Sequence, residues 1–294
     1  MTPLVKQLVE LFFVRKSMNR RRVPMFIPGY DKSYALVSDD NALRAVVFVH
    51  GFGGSPTGTW RDFHGLIEEY SSEFPWWKTS DLFFFSYDSI RTPIRFNSTR
   101  LAQFVDEVWS GRWTQQLKSK PKKRTYKDLI FAGHSEGCVL IRRLVLDRFE
   151  AISSNHVRNA RPKLLKALQA DCILRSYLRL FAPACCGTNF SSWIGFITSY
   201  SFLLSAITAS LLVRNELRPD SIVLSTLKVG TEKAHAQYPG VEAFYAEPLF
   251  GVPDQIVVSE SYQGEKIHWE QSCDHFGICK PKYVYTRPLD FVKI

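Results

Sequence analysis

Leu129-Ile130-Phe131-Ala132-Gly133-His134-Ser135-Glu136-Gly137-Cys138-Val139-Leu140 is the stretch that decides the fold. It begins as an apolar run typical of a buried strand, breaks at Gly-x-Ser-x-Gly, and continues as sequence that favours a helix. A sharp strand-to-helix turn requires glycines on both sides of Ser135, because a Cβ at either place would collide with its neighbours. At the start of such a helix, backbone N–H groups and the positive end of the helix dipole lie near the serine oxygen. The stretch therefore predicts a serine nucleophile beside a place that can hold an oxyanion.

The composition is that of an ordinary folded protein. The chain has 294 residues, of which 45% are hydrophobic and 22% charged, so it can bury one large core. Its formal net charge is +10, and much of the excess lies in two local runs, Arg15 to Arg22 and Lys118 to Arg124. Neither run interleaves aromatic residues as a groove for single-stranded nucleic acid does. We therefore expect no nucleic-acid partner, and interpret the charge as solvated loops or as attraction to an anionic membrane surface.

The cysteines and the first residues bear on localisation. The six cysteines include no Cys-x-x-Cys pair and most lie in apolar contexts, which is typical of reduced thiols in a cytosolic protein. The apolar stretch Leu8 to Val14 is interrupted by Glu10 and is followed, rather than preceded, by most of its basic residues, unlike a secretory signal. We expect a cytoplasmic protein, with association at a membrane surface as the alternative. No cluster of His, Cys and Asp has metal-ligand spacing, and neither a metal nor another cofactor is expected.

Residues 1–24 are predicted to form an N-terminal arm. One helical face carries the apolar side chains of Leu4, Leu8, Leu11 and Phe12. We favour an amphipathic helix that docks on the body or leads a flexible arm over a membrane-surface anchor. Pro24 and Pro28 are interpreted as the separation from a domain that covers residues 25–294.

Further apolar runs predict strands at 45–49, 81–87 and 241–246, and a strand with its C-terminal turn at 177–184. Helix-favouring sequence lies between them at 60–70, 98–117 and 155–169. Strands that alternate with helices at this spacing indicate an α/β fold, with a parallel sheet and helices on both faces. The first of these strands leads into His50-Gly51-Phe52-Gly53-Gly54-Ser55, where small residues let the backbone fold close to the nucleophile. His50 is interpreted as structural. The N–H groups of Phe52 and Glu136 are predicted to bind an oxyanion.

Phe190 to Val213 contains no charged residue and is long enough to span a bilayer. A single crossing would place Ser135 on one side of the membrane and the predicted acid and base on the other. We therefore interpret the stretch as one or two helices of a cap, inserted at about 188–222, that covers an apolar acyl-binding cavity. A re-entrant or interfacial segment is the alternative.

The predicted acid and base follow the serine in the chain. Asp254 lies in a turn after a core strand, and His275 lies in a loop near the C-terminus. A serine hydroxyl needs an imidazole to remove its proton, and the imidazole needs a carboxylate to fix its tautomer. The alternatives for the acid are Asp88, Asp220 and the low-ranked Asp274. The rival for the base is His268, which lies in a strand-like stretch. The side chain of His134 is expected to pack against the strand-to-helix turn at Ser135.

In this order of serine, acid and histidine the chain resembles the α/β-hydrolase superfamily, and more narrowly its lipase-like branch. That branch includes the serine-esterase domains of phospholipid-remodelling and GPI-inositol-deacylating proteins. The resemblance is carried by Val49-His50-Gly51-Phe52-Gly53, Gly133-His134-Ser135-Glu136-Gly137, Phe181-Ala182-Pro183-Ala184, Gly251-x-x-Asp254 and Asp274-His275-Phe276-Gly277-Ile278-Cys279-Lys280-Pro281. It covers roughly residues 40–290 and implies an eight-stranded, mostly parallel sheet with an ester-cleaving site.

The sequence thus predicts a serine hydrolase that cleaves carboxylic esters through an acyl-enzyme. Its predicted catalytic residues are Ser135, His275 and Asp254, and its predicted substrate is a small-molecule or lipid ester. Two alternatives stay open: an acyltransferase that uses the same three residues, and a catalytically idle hydrolase fold that serves as an interaction module.

Overall fold

The computed structural model describes residues 22–38, 42–69, 75–116, 124–155, 161–189, 211–252, 254–271 and 273–294. These residues form an eight-stranded sheet in the order β1-β2-β4-β3-β5-β6-β7-β8. The strands are β1 (Val23–Phe26), β2 (Tyr34–Val37), β3 (Arg44–Val49), β4 (Ser80–Phe85), β5 (Asp128–His134), β6 (Tyr177–Phe181), β7 (Glu247–Gly251) and β8 (His268–Glu270). β1 pairs antiparallel with β2, and β2 pairs antiparallel with β4; all the other neighbouring strands pair parallel. The predicted mostly parallel sheet is confirmed.

Helices lie between the parallel strands and, in one case, after the last of them. They are α1 (Pro56–Glu69), α2 (Pro75–Lys78), α3 (Ile94–Ser110), α4 (Glu136–Asn155), α5 (Arg161–Ala170), α6 (Leu211–Glu216), α7 (Ile222–Gln237) and α8 (Arg287–Val292). Short 3₁₀ turns lie at Arg112–Gln116, Ala184–Cys186 and Glu242–Phe244. In such an arrangement the carboxyl ends of the parallel strands meet at one edge of the sheet, and the loops that leave them carry the functional groups.

The core follows from burial of the sheet on both faces. Strand β3 is apolar without alternation because helices cover its two sides, and Val46, Val47 and Phe48 are fully buried. The Phe48 ring stacks on Phe84 of the adjacent β4 with centroids 4.7 Å apart. This packing fixes the position of the loop that leaves β3.

The strand predicted at 241–246 is wrong. Residues Glu242–Phe244 form a 3₁₀ turn, in which the Ala243 N–H donates to the carbonyl of Leu174 (3.1 Å). The strand is instead β7, which contains Pro248 opposite Leu180 of β6. Proline lacks the N–H that strand pairing uses, so the local strand propensity of 247–251 is low. The segment 241–246, which contains Val and Tyr, has the higher propensity and was therefore predicted instead.

The two segments proposed as arm and cap fall largely outside the described residues, the arm at 1–21 and the cap at 190–210. The sheet begins before the predicted boundary at residue 24. Pro24 lies within β1, an edge strand where proline is tolerated. The buried Arg22 pairs with Glu68 (3.1 Å). In the part of the chain that the structure describes, no helix combines the length and apolar character needed to cross a bilayer.

Candidate active site

Ser135 lies in the sharp turn between β5 and α4. Its φ of 53° is in the left-handed region, which a non-glycine residue adopts only under constraint from its surroundings. An added Cβ at Gly51 would lie 2.8 Å from the Ser135 Cβ, and one at Gly137 would collide with the backbone of Val49 and His50. At Gly133 the collision is with the Ile141 side chain, at 2.6 Å. Small residues therefore allow the β3 loop to approach the serine.

Asp254 and His275 are joined by a hydrogen bond. His275 Nδ1 lies 3.0 Å from Asp254 Oδ2, and both side chains are buried. The other carboxylate oxygen, Oδ1, accepts the N–H groups of Ile256 (2.9 Å) and Val257 (3.2 Å). Burial acts to raise the pKa of Asp254, but the bond from His275, its charge and the two N–H groups outweigh burial and hold that pKa below its ordinary value. An ionised carboxylate only accepts, so His275 carries its proton on Nδ1, and in the neutral ring the acceptor nitrogen is then Nε2.

His134 connects the serine turn to the histidine loop. Its Nε2–H donates to the backbone carbonyl of His275 (2.8 Å), and the two rings lie 4.9 Å apart. Burial, together with the neighbouring His275, lowers the pKa of His134 to about 3, so this ring stays neutral. The residue next to Ser135 therefore positions the backbone of His275. The sequence predicted that His134 packs against the serine turn. It contained no signal that this ring bonds to the backbone of a residue 141 positions further along the chain.

The loop after β3 is fixed by two contacts with the segment after β4. The Tyr87 hydroxyl donates to the His50 carbonyl (2.6 Å), and the Gly53 N–H donates to Ser89 Oγ (2.9 Å). The His50 ring stacks on Tyr87 at 4.3 Å, and burial lowers its pKa to about 4. Phe52 lies inside this fixed loop, and Glu136 is the first residue of α4, where an N–H has no partner in its own helix.

The rival residues have partners elsewhere. Asp88 Oδ1 accepts the N–H groups of Ile90 and Arg91, and Asp274 Oδ1 those of Phe276 and Gly277, so both cap their own turns. Asp220 pairs with Arg218 (3.1 Å), and His268 Nε2 lies 2.7 Å from Glu247. None of these four rival residues hydrogen-bonds to the side chain of Asp254 or His275.

The side chain of Glu136 is a feature that sequence reasoning missed. It is fully buried, and neither of its carboxyl oxygens has a hydrogen-bond partner among the described residues. Burial, reinforced by the carboxylates of Glu216 and Asp88, raises its pKa well above the ordinary value. The residue that follows the serine thus carries a neutral carboxyl group inside the protein.

A cavity of about 250 Å³ lies beside these groups. It is lined by the glycine-rich loop from Gly51 to Ser55, by His134, and by Phe276 and Lys280 of the histidine loop. Within the described ranges, no three His, Cys, Asp or Glu side chains are grouped in a way that could hold a metal ion. All six cysteines are free thiols.

No protein-family model matches the chain, and no curated protein matches it. Among solved structures it is similar to carboxylesterase CesB from Bacillus subtilis, with a TM-score of 0.50 and 12% identity over 98% of this chain and 96% of CesB. The fold is that of the α/β-hydrolases. The topology of the sheet, with its turn at Ser135, agrees with this α/β-hydrolase fold.

Two other similar structures have lower scores. Est1E from Butyrivibrio proteoclasticus gives a TM-score of 0.46 at 14% identity, covering 92% of this chain and 96% of Est1E. Phospholipase PlaB from Legionella pneumophila gives 0.45 at 17% identity, covering 71% of this chain. The match spans 37% of the PlaB chain.

Proposed function

We propose that the protein is a serine hydrolase that cleaves carboxylic esters. The observation that carries the proposal is the buried hydrogen bond between Asp254 and His275, held next to the turn that carries Ser135. The support for an ester bond rather than another substrate comes from the α/β-hydrolase fold and from the similarity to CesB, a carboxylesterase. A lipid ester is the narrower proposal, and it rests on the apolar stretch from Phe190 to Val213.

Ser135 attacks the ester carbonyl while His275 Nε2 removes the hydroxyl proton. Asp254 keeps the proton of His275 on Nδ1 and stabilises the imidazolium that forms. The tetrahedral oxyanion accepts hydrogen bonds from the backbone N–H groups of Phe52 and Glu136. His275 then gives the proton to the leaving alcohol. Water, activated by the same imidazole, releases the acid from the acyl-enzyme.

A fluorophosphonate probe and a nitrophenyl ester test this mechanism. We expect Ser135→Ala to abolish labelling and to lower kcat by about 10⁴-fold or more, because the nucleophile is gone. Asp254→Asn should lower kcat by about 10⁴-fold, because His275 then takes the wrong tautomer. Asp274→Asn is the matched control, since this carboxylate caps a local turn.

Labelling that persists in the Ser135→Ala protein would refute the assignment of the nucleophile. Equal activity of the Asp254→Asn and Asp274→Asn proteins would refute the assignment of the acid. Comparison of short-chain with long-chain nitrophenyl esters tests the lipid substrate, and a preference for acetate over octanoate would count against it.

A further inference from the structure

The N-terminal turns of α3 and α7 lie next to each other because Glu216 bonds to both. Glu216 Oε2 accepts the Ile94 N–H at the start of α3 (3.0 Å). Its backbone carbonyl accepts the hydroxyl of Ser221 (2.6 Å), and Ser221 caps α7 by accepting the Leu224 N–H (3.2 Å). A single glutamate therefore ties the two helix starts together.

Each of these adjacent turns exposes a large apolar side chain. Phe96, in the first turn of α3, is 65% exposed, and Ile222, the first residue of α7, is 82% exposed. Single exposed apolar residues are common on proteins, but these two lie at helix starts that the same glutamate joins.

Three arginines lie in or just before the first two turns of α3, and the exposed carboxylates of Asp88 and Asp220 lie near the two helix starts, the second paired with Arg218 (3.1 Å). Arg91, Arg95 and Arg100 are exposed, and no ion pair joins any of them to a residue that the structure describes. The first turn of α3 contains no acidic residue. Arg91 precedes α3, Arg95 lies in its first turn and Arg100 in its second, so the three guanidinium groups are available to an anionic partner.

The surface adjoins the candidate active site. The segment from Tyr87 to Pro93 leads into α3, and within it the Tyr87 hydroxyl and Ser89 Oγ bond to the loop that contains Phe52. Glu216, which joins the two helices, is also one of the two carboxylates that act on the buried carboxyl of Glu136. An object seated on this surface would therefore lie beside the serine turn.

We propose that Phe96, Ile222, Arg91, Arg95 and Arg100 form an interfacial patch that seats the protein on the anionic surface of a phospholipid layer. The two apolar side chains insert at the level of the acyl boundary, and the arginines bind lipid phosphates. The patch deepens the proposed function, on which it rests for the view that the layer supplies the ester.

The experiment measures co-sedimentation of the full-length Ser135→Ala protein with vesicles of phosphatidylcholine alone or mixed with phosphatidylglycerol. We expect binding to the mixed vesicles to exceed binding to phosphatidylcholine. Replacement of the three arginines by glutamine should weaken binding to the mixed vesicles about 100-fold, since each basic residue near an anionic surface contributes roughly fivefold.

A triple variant, Lys127→Gln, Arg175→Gln and Lys266→Gln, is the charge-matched control. These exposed residues precede β5, β6 and β8, and so lie at the opposite edge of the sheet. For the apolar part, Phe96→Ser and Ile222→Ser should each weaken binding several-fold, whereas Val229→Ser, further along the exposed face of α7, should not.

Equal binding of the arginine variant and the parent protein would overturn the proposal, as would an equal loss in the charge-matched control. Binding that does not depend on phosphatidylglycerol would also overturn it. Vesicle binding is measured on protein without the serine, so it does not require catalysis. A failed hydrolase assay with intact, arginine-dependent binding would therefore reject the proposed function and leave the patch in place.

Discussion

Glu136 illustrates how a single residue makes stability depend on pH. Its buried carboxyl has no hydrogen-bond partner among the described residues, and burial raises its pKa well above the ordinary value. The folded protein therefore keeps the proton, while the unfolded chain releases it above an ordinary pKa near 4.5. The stability that this group contributes is present at low pH and is lost as the pH rises.

We expect Glu136→Gln to stabilise the protein at pH 7 and to change it little at pH 4. The expected gain is roughly 1.4 kcal/mol for each pH unit from the ordinary pKa up to pH 7 or up to the folded pKa, whichever is lower, because glutamine carries no proton to lose. Urea unfolding at several pH values measures the gain, and Glu150→Gln, exposed on the same helix, is the control. A pH dependence unchanged by the Glu136 substitution would contradict the interpretation.

The sequence indicated which residues to propose for the candidate site, but not which side chains contact each other there. The glycines around Ser135 indicated a turn because only a missing Cβ allows the approach of Val49 and His50. Asp254 and His275 were chosen from their order and from the turn and loop in which they lie, and the structure joins them at 3.0 Å. Nothing local indicated that the Glu136 side chain turns inward.

At the scale of elements, α4 is attached to the segment before β8 by a buried ion pair. Arg142 on α4 lies 2.5 Å from Glu265, and both side chains are almost completely buried. The Arg142 guanidinium also lies 4.0 Å from the ring centre of Tyr262, and the Tyr262 N–H donates to Glu265 (2.9 Å). The helix that begins at the serine turn is therefore connected to the chain that leads to β8 and the histidine loop.

Glu265→Ala should destabilise the protein by about 3–5 kcal/mol, because it leaves the Arg142 charge buried and unpaired. The pair of Arg143 and Asp147 on the same helix, at 2.6 Å but partly exposed, is the control. Asp147→Ala should cost about 0.5 kcal/mol or less. Urea unfolding measures both values, and similar losses would show that burial of the first pair does not matter.

Elements with strong periodicity were predictable, and those with conflicting signals were not. The apolar run of β3 predicted a buried strand because covered parallel strands need no polar face. At 241–251 the local preferences favoured the wrong half: the aromatic part is a 3₁₀ turn, and the part with Pro248 is β7. Pairing with β6 and β8 overrides local preference there.

At the scale of the whole molecule, the parallel sheet brings together residues far apart in the chain. Phe52 follows β3, Ser135 follows β5 and Asp254 follows β7, so all three lie at the carboxyl edge of adjacent or nearby strands. His275 joins them from the loop after β8, through its bonds to Asp254 and His134. The motifs could be placed together from the sequence because, in a parallel sheet, the loops that follow the strands all emerge at the same edge.

Two buried histidines near this edge of the sheet, His50 and His134, are expected to lower the stability of the protein in acid. Burial lowers the pKa of His50 to about 4 and that of His134 to about 3, both below the ordinary value of 6.5. An unfolded chain would protonate both rings below pH 6.5, so the stability that the neutral rings contribute is present above that pH and is lost as the pH falls towards 4 and then 3. Asp254, with its lowered pKa, adds a loss only below its ordinary value of 3.8.

Between pH 6.5 and 5 we therefore expect the free energy of unfolding to fall by roughly 1.4 kcal/mol per pH unit for each of the two rings. The double variant His50→Gln and His134→Gln should start from lower stability, because it alters packing, yet lose less as the pH drops. Urea unfolding at pH 7, 6 and 5 gives the slope, and His235→Gln, on α7 beside Tyr245, should leave it unchanged. The slope of the free energy of unfolding against pH measures the protons taken up on unfolding, and does not depend on lost packing contacts. A double variant with the parental slope would therefore mean that neither ring is held neutral.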